Sequence, residues 1–392
     1  MLGKISRTAL GLVVIAAVGG LATHKLGIWQ LHEPADPPVK VRPMAEPVAV
    51  TGKAVTILGA GSILPDPEIW DQARRDGGGR LDFGPSLAGV KKTVSDADLA
   101  LCHLSVPLSD DPPFAGPPRY RVPSAVAQAI AETGFDGCAT AAEHSYDQGA
   151  AGVAATVSAL DDARLGHSGT YTSKAASQKP RLYTANGVKV AHLSYTLDLN
   201  RQKPAKGSEW AVARPTVTKI KNDSRAARDA GAQIVVVSLD WGTEPEHEPD
   251  VDQQNLARSI ATMRNVDIVM GHGAHVVQPV EHIGDKWILY GLGDLSTREQ
   301  EPVNNDREGS MMRVTFTPAA DEGRWKVASI EALPTYIDLN PDIRVVDLER
   351  ALADPGVPPG RRHIYEAAVE RIDSAVMSRG GGSVVHVRGT GK

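Results

Sequence analysis

Six short apolar runs punctuate the chain, at residues 55–58, 99–102, 135–140, 188–194, 234–239 and 266–270, each bounded by glycine, proline or polar clusters. Runs of this length, apolar on consecutive positions, read as strands buried on both faces. Helical periodicity fills most of the gaps, at 123–132, 149–163, 215–230 and 252–263, with Pro or Asp opening several of these segments and Gly closing them. Strand alternating with helix predicts a layered α/β fold whose chemistry gathers at the carboxyl ends of the strands. The later apolar segments 287–290, 311–316 and 327–333 have no helices between them and predict an antiparallel portion packed as a second sheet. After Pro341 the pattern decays to one amphipathic stretch, 361–377, and a glycine-rich basic tail, 379–392, which predict an appended helix and a disordered end.

The first 49 residues follow other rules. Lys4 and Arg7 precede an apolar segment from Ala9 to Ala22, short for a membrane span but suited to an export signal. Residues 1–27 are therefore expected to be a signal peptide or an uncleaved anchor in the cytoplasmic membrane, followed by a Pro-rich spacer over 28–49. The folded body would then work outside the cytoplasm. A formal charge of -5 gives no electrostatic case for nucleic acid as a partner. Two cysteines, Cys102 and Cys138, exclude a disulfide-dense scaffold. They fall at the ends of adjacent predicted strands, so in an exported chain they are either bridged or a pair of buried thiols.

Polar residues cluster at five predicted strand ends, which this reading places on successive strands of one sheet. The first run gives way to a glycine-rich turn closing on Ser62, and the second is followed by His103 and Ser105. His103 is either a metal ligand or a hydrogen-bonded structural residue. The third offers Glu143, His144 and Asp147 just before a Gly149-led helix. His and Asp three apart can pair, the carboxylate fixing the imidazole tautomer, although Asp147 could equally cap the helix. The fifth run ends in Asp240, Trp241, Gly242 and Glu244. The sixth ends at Gly271, and a tight turn then carries His272 and His275, two imidazoles able to converge on one cation.

The order of these motifs, over residues 50–341, resembles that of CapA-type proteins, the poly-γ-glutamate capsule biosynthesis family within the calcineurin-like metallophosphatase superfamily. The resemblance implies an α/β fold of four layers, an α-β-β-α sandwich, with a metal site across the strand ends. His144, Asp147 and Glu244 match catalytic positions. The chain departs from the family pattern at several ligands. Ser62 stands where the first motif has Asp, and Ser105 where the second has Glu. Glu143 replaces an Asn, Asp240 a His, and Gly273 the middle histidine of the last cluster. Gly293-Asp294 stands for the usual Gly-Asn ending.

Two functions follow from the resemblance and its departures. One is an exported accessory or binding protein of cell-envelope polymer synthesis with a degenerate metal site. The other is a metal-dependent hydrolase of a phosphoester or γ-glutamyl amide. Its Mn, Fe or Zn would be held by a rearranged set drawn from His272, His275, Asp240, Glu143 and His103. Partners would be the polymer or a small phospho- or glutamyl substrate, with the membrane reached through the N-terminal segment.

Overall fold

The computed structural model describes residues 52–298, 307–319 and 323–390. The expected signal or anchor segment and the Pro-rich spacer lie outside these residues. Consecutive apolar positions in a strand point to opposite faces, so a strand that is apolar throughout needs a partner layer on each side. β1 (Val55–Ile63) and β2 (Leu99–Leu104) run parallel, and β3 (Gly137–Ala139) and β4 (Gly166–Ser168) extend the sheet in the same sense. The second sheet starts with the hairpin of β5 (Arg181–Ala185) and β6 (Val188–Thr196). It continues through β7 (Ile234–Asp240) and β8 (Ile268–His272), parallel to β6.

The buried clusters show where each face goes. Val55, Ile57, Leu99 and Leu101 meet Val190, Ile234, Val236, Ile268 and Met270 between the sheets. Their neighbours Leu58, Ala100, Cys102 and Leu104 face outward onto α1 (Pro67–Asp76) and α2 (Ala125–Thr133). On the far side Ala191, Leu193, Val235, Val237 and Val269 pack on α4 (Val217–Asp229) and α5 (Val251–Ala261), while α3 (Gly149–Asp162) covers the first sheet near β4. Helix, sheet, sheet, helix is the predicted sandwich. Each fully buried Val, Leu or Ile contributes about 1.5–3 kcal/mol relative to exposure, so this alternation dominates the energetics.

The later strands do not form a sheet of their own, contrary to the sequence expectation. β9 (Val280–Ile283) and β10 (Lys286–Leu289) join the second sheet, giving the order β9-β10-β8-β7-β6-β5. β11 (Asp294–Ser296) lies parallel beside β1. β12 (Glu308–Ala319) and β13 (Arg324–Asp338) extend the first sheet antiparallel from β1, with β14 (Arg344–Asp347) at its edge. Met312, Val314 and Phe316 of β12 face the inter-sheet core, so the sheet already present offers the backbone partners and the apolar cover together.

The C-terminal segment also differs from expectation. α6 (Pro359–Met377) seals an open side of the sandwich, with Ile372 and Val376 entering the inter-sheet cluster. Val385–Val387, expected to be disordered, forms β15 beside β13, and Val385 is buried. Three residues pair because the sheet edge is there to receive them, a fact no local pattern reveals. Cys102 and Cys138 are register neighbours on β2 and β3, their Cα atoms 4.4 Å apart, and are joined in a disulfide.

Replacing Ile372 by Ala should lower stability by about 2–5 kcal/mol, the cost of a cavity among aliphatic side chains. Urea denaturation of wild type and variant measures it. A change within a few tenths of a kcal/mol would mean that α6 is not part of the core.

Candidate functional site

The carboxyl ends of the parallel strands open on one side of the sandwich, and they come from both sheets rather than one. Ser62 does not follow β1 but lies inside it. The β1–β2 register runs from Gly59 opposite Leu101 to Ser62 opposite His103, so β1 carries an extra residue there. Such a bulge re-aims a side chain. The Ser62 hydroxyl lies 3.0 Å from His103 Nδ1, and the Ser105 hydroxyl lies 3.1 Å from the same nitrogen. The two hydroxyls thus share one nitrogen of His103, and its other nitrogen, Nε2, is buried without a hydrogen-bond partner. His103 Nε2 faces the Asp240 carboxylate at 3.7 Å, longer than a hydrogen bond.

His272 ends β8 opposite Asp240, the last residue of β7. Its ring stacks on His103 from the other sheet, centroids 4.1 Å apart and planes within 8°. Burial lowers the His103 imidazole to about 3, and burial together with His103 holds His272 well below the usual histidine range. Both rings are neutral at physiological pH. Asp240 accepts the Glu143 backbone N–H at 2.8 Å. Burial, reinforced by the Glu143 charge and opposed by His275, pushes its carboxyl up to about 7. Trp241 fixes the turn by donating its backbone N–H to His272 at 2.9 Å and its indole N–H to Tyr290 at 2.8 Å.

Gly273 explains two features of this turn at once. Its φ is +92°, and a Cβ there would lie 2.3 Å from Asp240 Oδ1 and 2.9 Å from the Trp241 backbone. A side chain at position 273 and the carboxylate at 240 exclude each other. His275, at φ 58°, turns away toward Asp294, its Nδ1 3.0 Å and 3.1 Å from the two carboxylate oxygens. Its charge still reaches His103 and Asp240.

The third strand end holds a separate device. His144 Nδ1 lies 2.8 Å from Asp147 Oδ2, and the buried Asp147 carboxylate also accepts the Tyr120 backbone N–H and the Asn200 amide, each at 2.8 Å. Asp147 is not a helix cap, since α3 is capped at Gln148 without a side-chain bond. The carboxylate fixes the His144 tautomer and leaves Nε2 for a ligand. Glu244 sits outside this cluster on an exposed loop. Asp294, Asn200 and Tyr120 were not assigned to the site from the sequence. The Gly293-Asp294 departure was the signal for the first, and Asn200 and Tyr120 lie in no motif.

A family model described as bacterial capsule synthesis protein PGA_cap matches residues 56–298. The chain belongs to this family. A probable polyglutamine synthesis accessory protein of Mycobacterium tuberculosis is 24% identical over 83% of this chain and 85% of its own length. The PGA biosynthesis protein CapA of Bacillus subtilis is 30% identical over 40% of each chain. Among solved structures, the Haemophilus influenzae NAD nucleotidase covers 86% of this chain and 57% of its own at 11% identity, with a TM-score of 0.43. The Bacillus subtilis calcineurin-like phosphoesterase YfkN covers 82% and 97% at 10% identity, with a TM-score of 0.42.

Within the PGA_cap family the cleft of this chain raises the question of a metal. The residues expected as ligands share the cleft but do not converge. His103 Nδ1 meets two hydroxyls while its Nε2 and His272 Nδ1 are buried without a hydrogen-bond partner, the two rings are stacked flat, and His275 is turned to Asp294. Among the described residues no group of three His, Cys, Asp or Glu is placed to hold a metal ion. A tightly bound cation needs several such donors around one point, a requirement the described residues as placed do not meet.

Gly273→Ala should cost roughly 2–4 kcal/mol, from the left-handed backbone and the contact with Asp240. Thermal unfolding reads it, and an unchanged midpoint would refute the packing described. Asp240 gives a pH test. Its native carboxyl titrates near 7 against an ordinary 3.8, so the folded state holds a proton that the unfolded chain releases between those values. Wild type should therefore lose stability relative to Asp240→Asn as pH rises from about 4 to about 7. The depressed histidines act in the opposite sense, but they are common to both proteins and cancel in the difference. A difference curve that is flat across this window would place the Asp240 carboxyl in water.

Proposed function

We propose that this chain is an accessory protein of cell-envelope polymer synthesis of the poly-γ-glutamate type, whose cleft binds without hydrolysing. The observation that carries this reading is the hydrogen-bonded, stacked state of His103. Ser62 and Ser105, which stand where the resembled family has carboxylates, hold its nitrogen, and His272 covers its face. Neutral imidazoles and a carboxyl titrating near 7 form a cleft of low net charge. Imidazole nitrogens there can hydrogen-bond an amide or carboxylate. His144, with its tautomer set by Asp147, would orient such a group. The names of the curated relatives, an accessory protein of polyglutamine synthesis and a PGA biosynthesis protein, support the process. The basic and apolar start of the chain supports export, with residues 1–27 as signal or anchor.

Protein purified without chelator should contain substoichiometric Mn, Fe and Zn by elemental analysis. It should not turn over phosphomonoester, phosphodiester or γ-glutamyl amide substrates above background. Cells lacking the protein should lose envelope glutamyl polymer, and the Asp240→Asn variant should restore it. One equivalent of metal, with turnover abolished by His272→Ala or His275→Ala, would replace this reading with the hydrolase.

A further inference from the structure

A cavity of about 350 Å³ beside α6 and two others near the C-terminus carry carboxylates in their walls, from Glu248 and Glu308, from Glu349 and Asp373, and from Glu366, Glu370 and Asp373. A fourth cavity, about 300 Å³, lies where the edge strands β4 and β5 of the two sheets come together, and it carries none. Its charged walls are Lys179 and Arg181, joined by His167, Ser168 and Tyr171. In a chain of net charge -5 this composition runs against the average.

The basic groups there lack compensation. Arg181 donates its Nε–H to the His167 carbonyl at 3.3 Å, and neither Arg181 nor Lys179 has a carboxylate within ion-pair distance among the described residues. That bond orients the guanidinium and leaves its terminal nitrogens for another acceptor. Asp161, 62% exposed, is 3.5 Å from His167 Nε2, and the Asp223 charge reaches the Tyr171 hydroxyl. The other His167 nitrogen, Nδ1, is buried with no hydrogen-bond partner. Burial, and next the Arg181 charge, lower the His167 pKa, opposed by Asp161. Beneath β4, Gly166 is packed against Tyr183, where an added Cβ would lie 2.5 Å from the hydroxyl.

We infer that this edge cavity, lined by His167, Tyr171, Lys179 and Arg181, is a carboxylate subsite for one unit of an acidic glutamyl chain. The assignment rests on the accessory reading for the identity of the polymer, and on the cavity for the place. An arginine fork matches a carboxylate through two parallel N–H···O bonds, a lysine adds a point charge, and the Tyr171 hydroxyl can supply a further bond. The volume lies at the lower end for small-molecule sites and suits a single repeating unit. Gly169, the residue after β4, packs against Ala141 and Ser194.

Binding of a short γ-linked glutamyl oligomer to the full chain, measured calorimetrically, tests this. Wild type should bind it, more weakly as salt rises, and Arg181→Ala should weaken binding by about tenfold to a hundredfold, the range for charge-assisted hydrogen bonds. Lys179 is exposed, so Lys179→Glu should preserve folding and still reduce affinity about tenfold. A γ-linked glutaminyl oligomer of equal length should not bind. No binding by wild type, equal binding of the neutral oligomer, or unchanged affinity in both variants would each overturn the subsite. Inorganic phosphate that binds through Arg181 and is not displaced by the glutamyl oligomer would overturn the glutamyl assignment. In cells, full polymer yield with the doubly substituted protein would overturn the subsite and leave the accessory function standing. No loss of polymer in cells lacking the protein would overturn the accessory function itself.

Discussion

Packing two sheets face to face, with strands that are apolar on both sides, is the constraint from which the rest of this molecule follows. Val55, Ile57, Leu99 and Leu101 cannot be buried without Val190, Val236, Ile268 and Met270 opposite them. The residues between them in sequence cannot be buried without helices outside. Once both requirements are met, the parallel strands of both sheets end on one side. Residues far apart in sequence, such as Ser62, His103, Asp240 and His272, are then brought within contact of one another.

At that edge the inter-sheet layer changes from aliphatic to polar, and the buried imidazoles of His103 and His272 are kept uncharged. Charging a buried imidazole without a counterion costs far more than leaving it neutral. His103 and His272 respond by stacking as neutral rings, and Asp240 by holding its proton toward neutral pH. The departures from the family pattern are not independent in this setting. Asp240 occupies the space that a side chain at 273 would need, while Ser62 and Ser105 together hold the imidazole between them. The residues at these positions are tied to one another by hydrogen bonds and contacts within the site.

The strand ends were legible because glycine, proline and polar residues interrupt apolar runs abruptly, and the six runs became β1, β2, β3, β6, β7 and β8. The His144–Asp147 pair was legible because three-residue spacing on one turn brings the two side chains together. Other parts of the site had no local signature. The bulge that aims Ser62 at His103 is a property of the register between two strands. Asp294 reaches His275 only because β11 returns beside β1, and Asn200 reaches Asp147 from a loop 53 residues away in sequence.

By itself, then, the sequence determined the alternation of elements, the burial of both sheet faces and the motif order that marks the family, because these depend on periodicity and spacing along one chain. Only the tertiary structure decided that the site spans two sheets, that the late strands are shared between both sheets while the C-terminal segment adds to the first, and that the candidate ligands face one another instead of a common point. Pairing partners, register and the direction of a buried ring are set by surfaces contributed from distant segments. No pattern local to His272 and His275 records that one of them stacks on His103 and the other turns to Asp294.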